Sequence, residues 1–204
     1  MNVGGLTLAS ASLRRKQMLA EVGLVFKIDS ADIDESLTDG EKAEDYVLRL
    51  SEEKARVVAR RHQDGVILAA DTTVVLGGDI LGKPESEEHG VEMLRRLSAN
   101  THKVLTGVSV LNRYRHESFL TSSRVVFKEI SLPEIMWYWN TGEPEDKAGA
   151  YGLQGKGAAF VTAIYGSFTN VIGLPLVETL SLLEDFGVNA MQVNAHEVAD
   201  TRSR

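Results

Sequence analysis

The chain has 204 residues, of which 43% are hydrophobic and 25% charged, with a formal net charge of −7. This composition is that of an ordinary globular protein with enough apolar residues for a core, and the acidic balance disfavours non-specific nucleic-acid binding, which depends on neutralising many phosphates. With no cysteine, neither a disulfide framework nor a thiolate metal site is possible. No signal-peptide pattern, no apolar run of membrane-spanning length and no Gly/Ser/Pro linker is found. The expectation is a soluble, cytoplasmic protein with a single domain over residues 1–188 and a polar tail at 189–204.

The first segment, "LTLASASLRRKQML", reads as a buried strand passing through small and hydroxyl residues into a helix. Ser12 is a good N-cap, Met18, Leu19 and Val22 form an apolar face, and Gly23 is a C-terminal stop. Arg14 and Arg15 then stand in the first turn, at the positive end of the helix dipole, where cations are unfavourable by a few tenths to about 1 kcal/mol. A bound phosphate would turn the same charges and the free backbone N–H groups into a favourable set; two solvated arginines are the plainer explanation.

"VFKIDSADIDESLTDG" reads as a strand followed by an acidic loop, and a helix from about Glu41 to Arg61 comes next. "VILAADTTVVL" reads as a continuous buried strand; "GGD" at 77–79 signals a turn, and "ILGKP" returns the chain to Pro84. Ser86 caps a third helix that places Val91, Leu94 and Leu97 on one face. "HKVLTGVSVL" and "FLTSSRVVF" are expected to form a hairpin. "SLPE" at 131–134 matches a capping box, with Pro133 tolerated in the first turn, and the helix through "IMWYWN" ends by Gly142. "AGAYGLQGKGAAFV" leads into a last strand, and "GLPLVETLSLLEDFG" is a final apolar helix stopped by Gly187. Intermixed strands and helices without a repeat place the fold in the α/β class with a mixed sheet.

Several polar residues interrupt apolar patterns. Lys54 falls near the centre of the second helix's apolar stripe (Ala43, Tyr46, Val47, Leu50, Val57, Val58), either snorkelling to water or meeting a phosphate or carboxylate in a cleft. Asp71 lies inside a strand-like apolar run, where an unpaired carboxylate is strongly unfavourable. A hydroxyl partner would satisfy it, as would a metal ion or an activated water. Lys83 sits in "GKP", which is not a P-loop, and Gln154 in a glycine-rich loop offers a donor and an acceptor to a flat ligand. The five histidines have no metal-ligand spacing, and no serine nucleophile elbow is present. Arg14, Arg15, Lys54 and Lys83 combined with Glu35 and Asp71 suit a polyphosphate and a hard divalent metal.

The segments "LASASLRR", "DIDE", "LSEEKA", "AADTTVVLGGDILGKP", "THKVLTGV", "DKAGAYGLQGKGAAFV" and "GSFTNVIGLPL", in this order and spacing, closely resemble the Maf family of septum-formation-associated nucleotide pyrophosphatases. The likeness runs through Gly187. It implies an elongated mixed β-sheet flanked by helices, with two lobes around a cleft, as in inosine triphosphate pyrophosphatases. It also implies hydrolysis of a nucleoside triphosphate between the α and β phosphates. Asp71 matches the proton acceptor. Arg15, Lys54 and Lys83 match phosphate-binding residues, Glu35 with Asp71 the holders of a divalent metal (Mg²⁺ or Mn²⁺), and Ser10 the turn approaching the phosphates. Arg14, Thr72 and Gln154 match the discriminating positions of the dTTP/UTP branch, whereas the 7-methyl-GTP branch has tryptophan, glutamine and glutamate there. Leu13 departs from the proline common at its position. Family analogy makes a homodimer an expectation, and a nucleotide-sensing regulator of cell division or a housecleaning pyrophosphatase for modified or purine triphosphates is the alternative function.

Overall fold

The computed structural model describes residues 4–190. Its sheet has seven strands: β1 (Gly4–Leu8), β2 (Phe26–Ile28), β3 (Gly65–Leu76), β4 (Asp79–Leu81), β5 (Thr101–Leu111), β6 (His116–Phe127) and β7 (Val161–Tyr165). The order is β2-β1-β3-β5-β6-β7, with β4 adding to β3; β1 runs parallel to β2 and β3, and the other pairs are antiparallel. The helices are α1 (Leu13–Glu21), α2 (Ala43–Ala59), α3 (Glu87–Leu97), α4 (Leu132–Trp139), α5 (Phe168–Ile172) and α6 (Leu176–Asp185). The expected elements are present. The short α5, which follows Gly166, is an addition that the sequence reading did not include.

Local chemistry accounts for the boundaries. The Ser12 and Ser86 hydroxyls accept from the N–H groups of Arg15 and His89, capping α1 and α3. At α4 the Glu134 carboxylate accepts from the backbone N–H and the hydroxyl of Ser131, the reaching-back half of a capping box. The expected tail lies outside the described residues beyond Ala190.

Strand alternation divides the long β3 between two faces. Ile67 and Ala69 pack with Ala55 and Val58 of α2, and farther along the same face Val47 of α2 meets Leu105 of β5. On the other face Val66, Leu68 and Ala70 join Met18 and Leu19 of α1 and Leu182 and Leu183 of α6, while Val74 joins Leu94 and Leu97 of α3 and Ile135 of α4. These clusters form the two lobes, and the polar stretch Asp71–Thr73 falls between them. Gly107 of β5, opposite Asp71 in the ladder, brings α2 close to the sheet: a Cβ there would lie 2.3 Å from the Val47 carbonyl oxygen.

His102 is buried beside Phe127 and Tyr151; its Nε2 shares a 2.7 Å hydrogen bond with the Tyr151 hydroxyl, and Nδ1 has no partner. Burial lowers its pKa from 6.5 to about 4, so between these values the unfolded chain binds the proton and the folded chain does not. Stability is therefore full above pH 6.5 and is lost as pH falls toward 4. Urea unfolding should show about 2 kcal/mol less stability at pH 5 than at pH 7 from this residue, a difference that a His102→Gln variant should lack.

Candidate active site

The site begins as a gap in the sheet edge. β5 covers one side of β3 from Ile67 to Val75, but on the other side β1 pairs only as far as Leu68 and β4 begins at Val74. After the bond from Ala9 N–H to the Leu68 carbonyl, the chain leaves β1 and turns into α1. Residues 69–73 of β3 consequently face a crevice at the carboxyl end of parallel β1, where the N-terminus of α1 also arrives. Crevices at such positions are the usual ligand sites of open α/β sheets.

Asp71 and Thr72 point to opposite faces of β3. Toward α2, the Lys54 ammonium lies 2.6 Å from Asp71 Oδ1 and 2.7 Å from Glu35 Oε1. Its side chain is 11% exposed and that of Asp71 12%. Lys54 thus reaches into the cleft rather than to outer solvent, and Asp71 finds its partner in a cation rather than a hydroxyl. The acidic loop is held over this pair by α2: the Tyr46 hydroxyl donates to the Glu35 carbonyl at 2.9 Å, and Arg49 donates to the Ser36 carbonyl and to both oxygens of Glu41. Burial by itself would raise the Glu35 pKa, but hydrogen bonding to Lys54 and the charges of Lys54, Lys83 and Arg15 overcome it and hold Glu35 below its ordinary value. Burial and the nearby Asp71 and Glu35 push the Tyr46 phenol up to about 12, so it remains a donor at neutral pH.

On the other face, Arg15 bends back from the first turn of α1. Nε donates to the Gly173 carbonyl at 2.8 Å, Nη1 to Ser10 Oγ at 3.1 Å and Nη2 to Thr72 Oγ1 at 3.0 Å. Burial lowers its pKa, and the Asp71 charge opposes this. With three of a guanidinium's five N–H groups used in anchoring, two remain for a ligand. The Thr72 hydroxyl is committed within the protein, to Arg15, Thr106 and the Gly173 carbonyl, so in this structure it orients the arginine. Gly173 has φ of 126°, a conformation that favours glycine.

Ser10, Arg14, Arg15, Glu35, Lys54, Asp71, Thr72, Lys83 and Gln154 all line one cavity of about 1190 Å³. The sequence-predicted residues thus converge, from segments as distant as β1 and the loop before β7. The same walls include Tyr46, Glu143, Asp146, Lys147 and Gly173, which the sequence reading did not select. In the sequence Tyr46 belongs to an apolar stripe; its position in the first turn of the helix that follows the acidic loop is the available signal. The cavity is not simply cationic. Arg14, Arg15, Lys54, Lys83 and Lys147 share it with five acids, Glu35, Asp71, Glu85, Glu143 and Asp146, and Lys147 is already bonded to Asp146 and to the Glu143 carbonyl.

Among the described residues there is no group of three or more His, Cys, Asp or Glu side chains arranged to hold a metal. Glu35 and Asp71, brought together on one ammonium, offer carboxylate oxygens of the kind a hard divalent cation takes. Counted as ordinary charges, the five cations and five acids cancel, so the side chains alone would not neutralise an added polyanion.

The Maf-like protein family model matches residues 5–186. The dTTP/UTP pyrophosphatase of Myxococcus xanthus is 52% identical over 183 residues, covering 90% of this chain and 93% of its own. That of Hahella chejuensis is 52% identical over 186 residues, covering 90% and 92%. Among solved structures, the Ham1 protein of Staphylococcus aureus aligns with a TM-score of 0.42 at 14% identity, over 60% of this chain and 71% of that one. Among the described residues no helix is long and apolar enough to cross a membrane. With the family model spanning nearly all of the sheet and every segment that lines the cavity, the chain belongs to the Maf-like family.

Proposed function

We propose that the protein hydrolyses the α–β phosphoanhydride of dTTP and UTP, releasing pyrophosphate and the nucleoside monophosphate. The observation that carries this reading is the Asp71–Lys54–Glu35 bridge, set in a cavity with Arg15 and the N-terminus of α1 on its opposite side. The names of the Myxococcus and Hahella relatives support the substrate class.

On this reading the triphosphate lies across the crevice, its anionic oxygens against Arg15, Lys54 and Lys83 and the turn at Ser10. Asp71 uses Oδ1 to hold Lys54; its second oxygen is available to take a proton from water as the water oxygen bonds to phosphorus. The phosphorus–bridging oxygen bond breaks and the electron pair leaves on pyrophosphate. Fixed cations around the reacting phosphoryl oxygens stabilise the developing charge without reorganising. A divalent cation, Mg²⁺ or Mn²⁺, held chiefly by Glu35 with Asp71 beside it, would supply further positive charge at the phosphates.

On this reading Arg14 and Gln154, which both line the cavity, contact the base, with Thr72 acting through Arg15. A neutral carboxamide donates to a pyrimidine carbonyl and accepts from its N3–H, whereas an ionised carboxylate only accepts. Gln154→Glu should therefore lower kcat/KM for UTP and dTTP by roughly 100-fold or more, mostly through KM, while phosphate-end chemistry persists.

A panel of pyrimidine, purine and modified triphosphates with Mg²⁺ or Mn²⁺, read by pyrophosphate release, tests the whole proposal. Tight binding without turnover would replace it with a nucleotide sensor, and a preference for purine or modified bases with a housecleaning enzyme. A cytoplasmic location and a homodimer belong to the same reading; light scattering of the purified chain checks the dimer.

A further inference from the structure

The loop carrying Gln154 has an anchor that the proposed chemistry does not use. Glu143 follows α4, and its carboxylate gathers three donors: Oε1 accepts from the Tyr138 hydroxyl at 2.8 Å and the Gly157 N–H at 3.2 Å, and Oε2 from the Lys156 N–H at 2.9 Å. Tyr138 extends this grip, because its hydroxyl oxygen accepts from the Gly152 N–H at 3.0 Å. Both shoulders of the loop, Gly152 before Gln154 and Lys156–Gly157 after it, are thereby tied to one carboxylate. Glu143 itself is held through its carbonyl by Lys147 Nζ at 2.6 Å.

The fit is close enough to dictate residue types. Gly155 has φ of 150°, and a Cβ there would lie 2.6 Å from Glu143 Oε2. A Cβ at Gly157 would lie 2.6 Å from the Tyr138 hydroxyl oxygen. Tyr138, on α4, is buried against Phe160 and clusters with Leu94 and Leu97 of α3, so the anchor rests on the lobe built around α3 and α4. Burial by itself would raise the Glu143 pKa, yet the Lys156 N–H, the Tyr138 hydroxyl and the Gly157 N–H overcome it and keep the group ionised. Gln154, between the tied shoulders, is exposed and lines the cavity with Gly152 and Leu153.

We infer that Glu143 is a positioning residue for nucleobase recognition: it fixes the Gly152–Gly157 loop so that the Gln154 carboxamide meets the pyrimidine edge. The inference rests on the proposed pyrimidine specificity and adds to it the group that makes that specificity rigid. Preorganising a hydrogen-bonding group matters because a misplacement of about 1 Å can cost on the order of 100-fold.

The test compares Glu143→Ala, Glu143→Gln, Gln154→Ala and the Glu143→Ala/Gln154→Ala double variant with UTP, dTTP and CTP, after thermal melts show which variants fold. Glu143→Ala should raise KM for UTP and dTTP by roughly 10- to 100-fold, leave kcat within a few-fold and erode discrimination against CTP. The double variant should be no worse than the poorer single one, since both act through one contact. Glu143→Gln retains one carbonyl oxygen for Tyr138 and Gly157 and should recover part of the loss; it carries the kinetic test if the alanine variant does not fold. A fall in kcat alike for all three nucleotides with KM unmoved, or single effects that multiply in the double variant, would overturn the positioning role.

Amide hydrogen exchange reads the anchor independently of turnover: it should accelerate at Lys156 and Gly157 in Glu143→Ala, and at Lys156 alone in Glu143→Gln, where the retained carbonyl oxygen still accepts from Gly157. Unchanged protection would refute the anchor. Absence of turnover in the unsubstituted protein would instead remove the hydrolase reading and the specificity role with it.

Discussion

Replacing Asp71 by asparagine is expected to reduce pyrophosphate release from dTTP and UTP by roughly 10²- to 10⁴-fold, the range for loss of a positioned general base, with melting temperature little changed. The reason for the separation is local. The carboxamide of the Asp71→Asn variant keeps an acceptor oxygen for Lys54, which lies 2.6 Å from Asp71 Oδ1 in the present structure, and Lys54 also retains Glu35 at 2.7 Å. What disappears is the negative charge that can take a proton from water. Steady-state kinetics beside a thermal melt distinguishes the two contributions. Turnover within a few-fold of the parent would dismiss Asp71 as the base, and a collapse of the melt would make the activity loss uninformative.

Substitution of Lys54 by Met should harm both activity and stability. The ammonium joins two carboxylates from different parts of the chain, one on β3 and one on the acidic loop. Without it, Asp71 and Glu35 face each other with no cation between them. Removing one partner of a dry buried pair costs roughly 3–5 kcal/mol; because this cavity admits water, about 1–3 kcal/mol is expected. Turnover should drop by on the order of 10²- to 10³-fold through loss of a fixed charge near the reacting phosphates.

The Lys54→Met variant also has a signature in pH. In the intact protein the Lys54 hydrogen bond and the neighbouring charges more than offset burial and hold the Glu35 pKa below normal. Removing Lys54 leaves burial opposing ionisation with less compensation, so the Glu35 pKa rises. Any acidic limb of the rate profile that depends on ionised Glu35 must then move to higher pH. A profile that only scales down, without that displacement, would mean that Lys54 contributes charge to the substrate but does not tune Glu35.

Elements that repeat a short-range pattern were legible before folding was considered. Ser12 and Ser86 specify helix starts because a hydroxyl can satisfy a backbone N–H three residues ahead, and both make that bond. The apolar stripe of α2 was readable because its period of 3.6 follows from the backbone, and β3 because its apolar residues form a nearly continuous run closed by a turn signal. Asp71, Lys54 and the two arginines stood out as violations of those patterns, and all four side chains line the cavity. Lys83 and Gln154 entered on weaker local signals and through the family likeness.

What those residues meet was settled by the folded chain. Whether Lys54 snorkelled or entered a cleft depended on α2 lying close against β5, which Gly107 permits, and on the acidic loop folding back over the helix. Neither fact has a local period. The gap at residues 69–73 arises because β1 and β4 share one edge of β3 without meeting, a consequence of strand order that no segment encodes alone. The same holds for Arg15, whose anchors at Ser10, Thr72 and Gly173 lie 5, 57 and 158 residues away. Side-chain hydrogen bonds act over about 3 Å, so partners this far apart in the chain become partners only when the sheet and both lobes have closed around them.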